Sequence, residues 1–292
     1  MTLAPGVHSV LVTPFTPDQA VDEGSVRSLV GYCVGIGVDG VLALGVMGEA
    51  GKLSDAERER VQAATIEAAA GRMQVTVGVT HASTAVTRER ARAAARAGAD
   101  GVMVSPPPET AAGPALREHF RRVAEGLDAP VVVQDYPAGG GVVLPVDFLA
   151  SLAADLPPGS AVKLEDPPTA AKIARLRAEA PSLRIFGGLG GVSLLEELEA
   201  GAEGTMTGFA MPDLLVEVVG AHEAGEIDRA RAAFEAALPL LVFEAQPVVG
   251  LALRKEILRR RGAIAHATIR APGPALDKQT LAALDRLLGA RL

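Results

Sequence analysis

The sequence predicts an α/β chain folded as a (β/α)8 barrel (a TIM barrel) with a C-terminal helical extension. Three observations carry that prediction. Eight short apolar runs alternate with amphipathic segments rich in Ala, Arg and Glu; the runs are apolar almost throughout rather than at every second position; and the strand signal stops after residue 210. Strand–helix alternation implies parallel strands joined by right-handed crossovers. Near-continuous apolarity implies burial on both sheet faces, and a count of eight favours a closed ring over an open sheet.

In chain order the strand runs are VHSVLVTPF (7–15), DGVLALG (39–45), QVTVGVT (74–80), DGVMVS (100–105), PVVVQDYP (130–137), SAVKLE (160–165), LRIFGG (183–188) and EGTMTG (203–208). Helical patterns fall between them at 25–51, 54–70, 84–98, 113–126, 145–154, 169–179 and 192–200, the first ending near Gly35 or Gly37. Ser54-Asp55-Ala56-Glu57 reads as a capping box, with its acidic pair at the positive end of the helix. RAGADG (96–101) and EAGAEG (199–204) share one form: a helix end, a glycine break and an acidic turn into a strand. Beyond the barrel (1–210), residues 212–223, 227–261 and 275–290 look helical, with a break near Pro247. The extension (211–292) is therefore expected to belong to the same structural unit.

Composition narrows the function. The 292 residues are 49% apolar and carry a net charge of −7, with no basic run that would attract nucleic acid or an anionic membrane. Cys33 is the only cysteine, which fits a reducing cytoplasm and leaves no disulfide framework. No signal peptide or transmembrane run is expected. The five histidines (His8, His81, His119, His222 and His266) form no spaced ligand set, so no metal and no cofactor are expected.

One residue breaks the apolar pattern. Lys163 lies inside SAVKLE, where alternation sends Val162 and Leu164 to the helices and Ala161, Lys163 and Glu165 inward. The other four lysines (Lys52, Lys172, Lys255 and Lys278) fall on a loop or on helical segments where water can reach them. A lysine deprived of water is less basic. Its neutral amine can condense with a ketone to give a Schiff base, whose iminium withdraws electrons from the adjacent carbon. A structural pairing of Lys163 with Glu165 is the alternative.

Other residues converge on the same end of the barrel. Gly45, Val46, Met47 and Gly48 follow the second strand and offer backbone N–H groups as a nest for a carboxylate, and Glu49 is expected to stabilise that loop. By strand parity Val132, Gln134 and Tyr136 face inward, giving Tyr136 or the inward Glu165 as the proton relay and Gln134 as a ligand-orienting amide. Gly139, Gly140 and Gly141 form a turn close to any ligand, and the prolines of VSPPPET (104–110) form a stiff wall without N–H donors. Gly187 and Met206, at the ends of strands seven and eight, complete the substrate-binding set. His81 is a further candidate at the mouth.

In this order LVTPF (11–15), GVMGEAGKLSDAER (45–58), VSP (104–106), DYP with its glycine turn (135–141), VKLE (162–165), FGG (186–188) and GAEGTMTG (201–208) resemble the dihydrodipicolinate synthase / N-acetylneuraminate lyase family over nearly the whole chain. The resemblance implies a barrel with helical extension, a homo-oligomer (usually a tetramer built from dimers), and a Schiff base between Lys163 and pyruvate or another 2-oxo acid. It also exposes departures. The hydroxyl pair of the family's G-T-T-G-E is Val46 and Met47 here, its catalytic tyrosine is replaced by Gln134, its second relay tyrosine by Pro107 and Pro108, and an arginine for the synthase's second substrate by Gly139. The expectation is thus a Schiff-base lyase, aldolase or dehydratase, other than a dihydrodipicolinate synthase. The apolar Val46, Met47 and proline wall suggest an apolar or aromatic aldehyde partner. A regulatory 2-oxo acid binder is the alternative.

Overall fold

A computed structural model describes residues 2–289. The barrel alternates strand and helix: β1 (Gly6–Val10), α1 (Glu23–Ile36), β2 (Gly40–Ala43), α2 (Asp55–Ala69), β3 (Gln74–Gly78), α3 (Thr84–Arg96), β4 (Gly101–Val104), α4 (Pro114–Ala124), β5 (Val131–Asp135), a one-turn α5 (Pro137–Gly140), α6 (Val146–Leu152), β6 (Ala161–Leu164), α7 (Thr169–Glu179), β7 (Arg184–Phe186), α8 (Leu194–Glu199) and β8 (Gly204–Thr207). Four helices follow: α9 (Pro212–Glu223), α10 (Ile227–Glu244), α11 (Gly250–Arg260) and α12 (Lys278–Leu288). Among the described residues no helix is long and apolar enough to cross a membrane.

All eight strands are parallel and pair in the order β7-β6-β5-β4-β3-β2-β1-β8. The remaining seam, between β7 and β8, carries a bridge at Gly187 and Thr205 and a backbone hydrogen bond from Glu203 N–H to the Ile185 carbonyl at 2.8 Å. Gly187 N–H donates to the Gly204 carbonyl at 3.0 Å, and its own carbonyl accepts from Met206 N–H at 3.0 Å. The barrel expected from the sequence is therefore present, closed at its last seam by a loop residue.

Alternation fills the lumen with Leu3, Val10, Leu42, Met103, Val132, Ala161, Phe186 and Met206, while Val162 and Leu164 join the outer core beneath the helices. The capping box forms: Ser54 Oγ accepts from Glu57 N–H at 3.3 Å, and the Glu57 carboxylate accepts from Ser54 N–H at 2.9 Å. Gly98 and Gly201, the two repeated break positions, share a φ of 99° that a side chain would strain.

One lysine departs from its expected place. Lys255, assigned from the pattern to a water-accessible helix face, is fully buried. Its Nζ donates to Glu49 Oε1 at 2.7 Å and to the Thr268 carbonyl at 2.8 Å, and lies 4.4 Å from the centroid of the Phe15 ring. Burial, resisted by the Glu49 partner, pushes its ammonium down to about 8. Helical spacing shows that a helix has two faces, and tertiary packing decides which face meets the barrel.

Candidate active site

The strand ends of β4, β5 and β6 place three polar side chains in a line. Gln134 and Lys163 are register partners on adjacent strands, so their side chains emerge side by side into the lumen mouth. Ser105 follows β4 and donates its hydroxyl to Gln134 Oε1 at 2.7 Å. Gln134 Nε2 donates to Glu165 Oε2 at 2.8 Å. Glu165 Oε1 accepts from Leu189 N–H at 3.1 Å, and Lys163 Nζ lies 2.9 Å from Glu165 Oε2. Lys163 and Glu165 are only 5% and 6% exposed. The lysine is thus not isolated in apolar surroundings, as the strand pattern implied, but held by a carboxylate that is itself fixed by an amide side chain and a backbone N–H.

Beside this row lies a chamber of about 500 Å³ lined by Lys163, Glu165, Gln134, Tyr136, Gly45, Val46 and Met47 on the barrel side, and by the α10–α11 turn on the other. A second lobe of about 420 Å³ shares Gly45, Val46, Gln134 and Tyr136 and extends past Pro106, Pro108, His81 and Gly139. Tyr136 is half-buried between the two, its ring packed over Gly139. Burial foremost, and then the Glu165 charge, hold its phenol above the ordinary tyrosine value, with Arg254 acting in the opposite sense. At neutral pH it is a proton donor.

Three of the substrate-binding assignments change. Gly48 is buried outside the chamber; its N–H is taken by the Gly45 carbonyl at 3.0 Å and its carbonyl by the Thr13 hydroxyl at 2.6 Å. The 3-10 turn Val46–Gly48 leaves its first N–H groups, those of Val46 and Met47, without partners inside the turn. Gly187 closes the barrel seam instead of lining the chamber, since strand β7 is too short to make that bridge itself. Met206 is fully buried in the lumen, because β8 continues the alternation that points it at the barrel axis. Glu49 stabilises its loop, taking Lys52 Nζ at 2.9 Å, Lys255 Nζ at 2.7 Å and Arg270 N–H at 3.2 Å.

Residues outside the expected set also line the chamber: Leu189, Gly190 and Thr207 from the barrel, and Glu244, Gln246 and Arg254 from the extension. Those of the extension stand far in sequence from Lys163, on segments whose pattern reads as plain helix or turn. Isolated charges in such segments resemble solvated surface until packing brings them inward.

Known proteins align over the same extent. The family model described as the dihydrodipicolinate synthetase family matches residues 4–291. The L-2-keto-3-deoxyarabonate dehydratase of Azospirillum brasilense is 32% identical over 293 residues, covering 96% of this chain and 92% of that protein. A 4-hydroxy-tetrahydrodipicolinate synthase of Streptomyces coelicolor is 33% identical over 282 residues, covering 94% and 90%. Among solved structures, the dihydrodipicolinate synthase of Rhodopseudomonas palustris superposes with a TM-score of 0.94 at 38% identity, covering 100% of this chain and 99% of that one.

Proposed function

Since the chain belongs to the dihydrodipicolinate synthetase family and is a lyase of that family, we propose that it forms a Schiff base at Lys163 with a 2-oxo acid, pyruvate being the simplest that can condense there, and dehydrates a bound 2-oxo acid that carries a hydroxyl on C4. The observation that carries this reading is the 2.9 Å contact between Lys163 and Glu165 at the wall of an open chamber.

Glu165 takes a proton from the lysine, the amine attacks the ketone carbon, and Glu165 returns the proton to the carbinol hydroxyl, which leaves as water as the iminium forms and restores the carboxylate. The iminium draws electrons from the neighbouring carbon, so Glu165 can next remove a proton from C3. Loss of the C4 hydroxyl, protonated as it departs, completes the elimination of one water. Val46 and Met47 N–H groups hold the substrate carboxylate, and Tyr136 supplies a phenolic donor at the chamber wall. Aldol cleavage would instead need a base for the C4 hydroxyl. The position of the family's tyrosine is Gln134 here, an amide that cannot titrate. The same substitutions at 46, 47, 134 and 139 argue against a dihydrodipicolinate synthase. Assembly into a homo-oligomer is part of this reading and is checked by light scattering.

The test is borohydride trapping with pyruvate, followed by intact mass. The expected adduct has the mass of pyruvate less one water plus two hydrogens, and it disappears in Lys163→Ala. An untouched wild-type chain across a panel of 2-oxo acids would falsify the reading and favour a binding protein.

A further inference from the structure

A second lysine is tied to the strands that carry the site, on the side away from the chamber. β5 sends Val131 and Val133 to the outer core and Val132 to the lumen. The same alternation turns Gln134 and Tyr136 inward and Asp135 outward, beneath the helices. Lys172, the fourth residue of α7, donates from Nζ to Asp135 Oδ2 at 2.6 Å and to Asp166 Oδ2 at 2.8 Å. Asp135 is fully buried, and the Lys172 side chain is 12% exposed. One carboxylate therefore stands between Gln134 and Tyr136 in the chain, and the other directly follows Glu165.

The sheet by itself ends short of the site. Pairing between β5 and β6 stops at Asp135 with Leu164. Among the described residues, one backbone hydrogen bond carries the ladder further, from Glu165 N–H to the Asp135 carbonyl at 2.8 Å. The chain then runs from Asp166 into Pro167 and Pro168, which have no N–H to offer a neighbouring strand. Glu165, on which the proton transfers depend, is thus held at the margin of the sheet, and Lys172 joins the two strand ends through side chains instead.

Stability alone does not account for this arrangement. Burial pushes the Asp135 carboxyl up to about 6 against the pull of Lys172. The ammonium sits near the end of α7 whose dipole favours anions. A buried ion pair is often no more stabilising than apolar residues of the same volume. What the pair does fix is the separation of β5 from the loop after β6, and with it the 2.8 Å contact between Gln134 Nε2 and Glu165 Oε2.

We propose that Lys172 is a positioning residue for the Schiff-base chemistry: by clamping Asp135 and Asp166 behind the sheet it holds Gln134 at hydrogen-bonding distance from Glu165, and so keeps Glu165 against Lys163. The inference rests on the Lys163 reading.

The experiment follows the pyruvate adduct by intact mass in the presence of cyanoborohydride, which reduces the iminium as it forms. It reads the limiting rate and the pyruvate concentration that gives half of it. In Lys172→Met the limiting rate is expected to fall by about tenfold, since a misplacement of ~1 Å can cost ~10²-fold. Half-saturating pyruvate is expected to stay within about twofold, because the Val46 and Met47 cradle lies on another loop and a loss confined to the reacting groups leaves binding unchanged. In a Gln134→Ala background, where the contact that Lys172 serves is already gone, the same substitution is expected to cost less than about threefold, the non-additivity of residues in one network. A wild-type limiting rate in folded Lys172→Met, a change confined to half-saturation, or an equal fractional loss in both backgrounds overturns the positioning role and leaves Lys163 intact. No adduct on the wild-type chain overturns the Lys163 reading and this one together. Thermal melting identifies a variant that has failed to fold. Asp166→Asn, which removes the more exposed half of the clamp and leaves the buried pair, then decides: a lower limiting rate supports the clamp and an unchanged one overturns it.

Discussion

Glu165 occupies the crowded centre of the site: one oxygen takes Gln134 and Lys163, the other takes Leu189 N–H. Those contacts fix the carboxylate against the amine, which is what a proton shuttle requires. Replacing it by Gln keeps the shape and removes the charge. Glu165→Gln is expected to lower kcat by about 10²–10⁴-fold, the range removed with a positioned acid–base group, while a borohydride adduct still forms on long incubation. Steady-state kinetics with a 2-oxo acid that carries a hydroxyl on C4 checks the first part and intact mass the second. Equal kcat in variant and wild type would move the proton transfer to Tyr136. The strand pattern located Lys163 and Glu165 because an ammonium and a carboxylate interrupt an apolar run. It could not locate Arg254, since a charge on an amphipathic helix interrupts nothing.

At the scale of elements, α8 presses a fully buried carboxyl, that of Glu197, against the end of β7. Neither of its oxygens makes a hydrogen bond of good geometry. Burial, reinforced by the Glu165 charge and only partly offset by the Thr169 hydroxyl, pushes this acid up to about 8 from an ordinary value of 4.5. The folded state then holds the proton more tightly than the unfolded chain does. Its contribution to stability is complete below about 4.5 and is lost as pH rises through about 8. Glu197→Gln mimics the protonated acid. Relative to wild type it is expected to be about neutral at pH 5 and more stable by about 3–5 kcal/mol at pH 9, each tenfold change in proton affinity being worth about 1.36 kcal/mol. Denaturant titrations at the two pH values check this, and a constant difference across pH would refute it. The pattern LLEELE gives the helix, yet it does not show that the second glutamate of the pair faces the barrel, because a short helix packed under a loop has no clear apolar stripe to orient it.

For the whole molecule the weak point is the seam between β7 and β8, where among the described residues the one bridge is Gly187 with Thr205 and Ile185 adds a backbone hydrogen bond from Glu203. A Cβ on Gly187 would collide with the Glu197 carboxyl, so seam closure and the buried acid depend on one another. Gly187→Ala is expected to destabilise the chain by about 1–3 kcal/mol, the usual cost of overpacking. Most of that loss should be absent when the same change is made in a Glu197→Ala background, measured as a double-mutant cycle of unfolding free energies. Additivity would mean that Gly187 is needed for its backbone alone. The eightfold apolar alternation, the capping box at Ser54 and the lysine of SAVKLE were legible in the chain because each is a local pattern with a local cause: strand burial, helix-end hydrogen bonding and an interrupted apolar run. Where the chain itself meets across long separations, the sequence is silent. The burial of Lys255 on Glu49, the closure at Gly187 and the arrival of Arg254 and Glu244 beside Lys163 were decided only by tertiary packing, which selects one face of each helix and so determines which charges leave water.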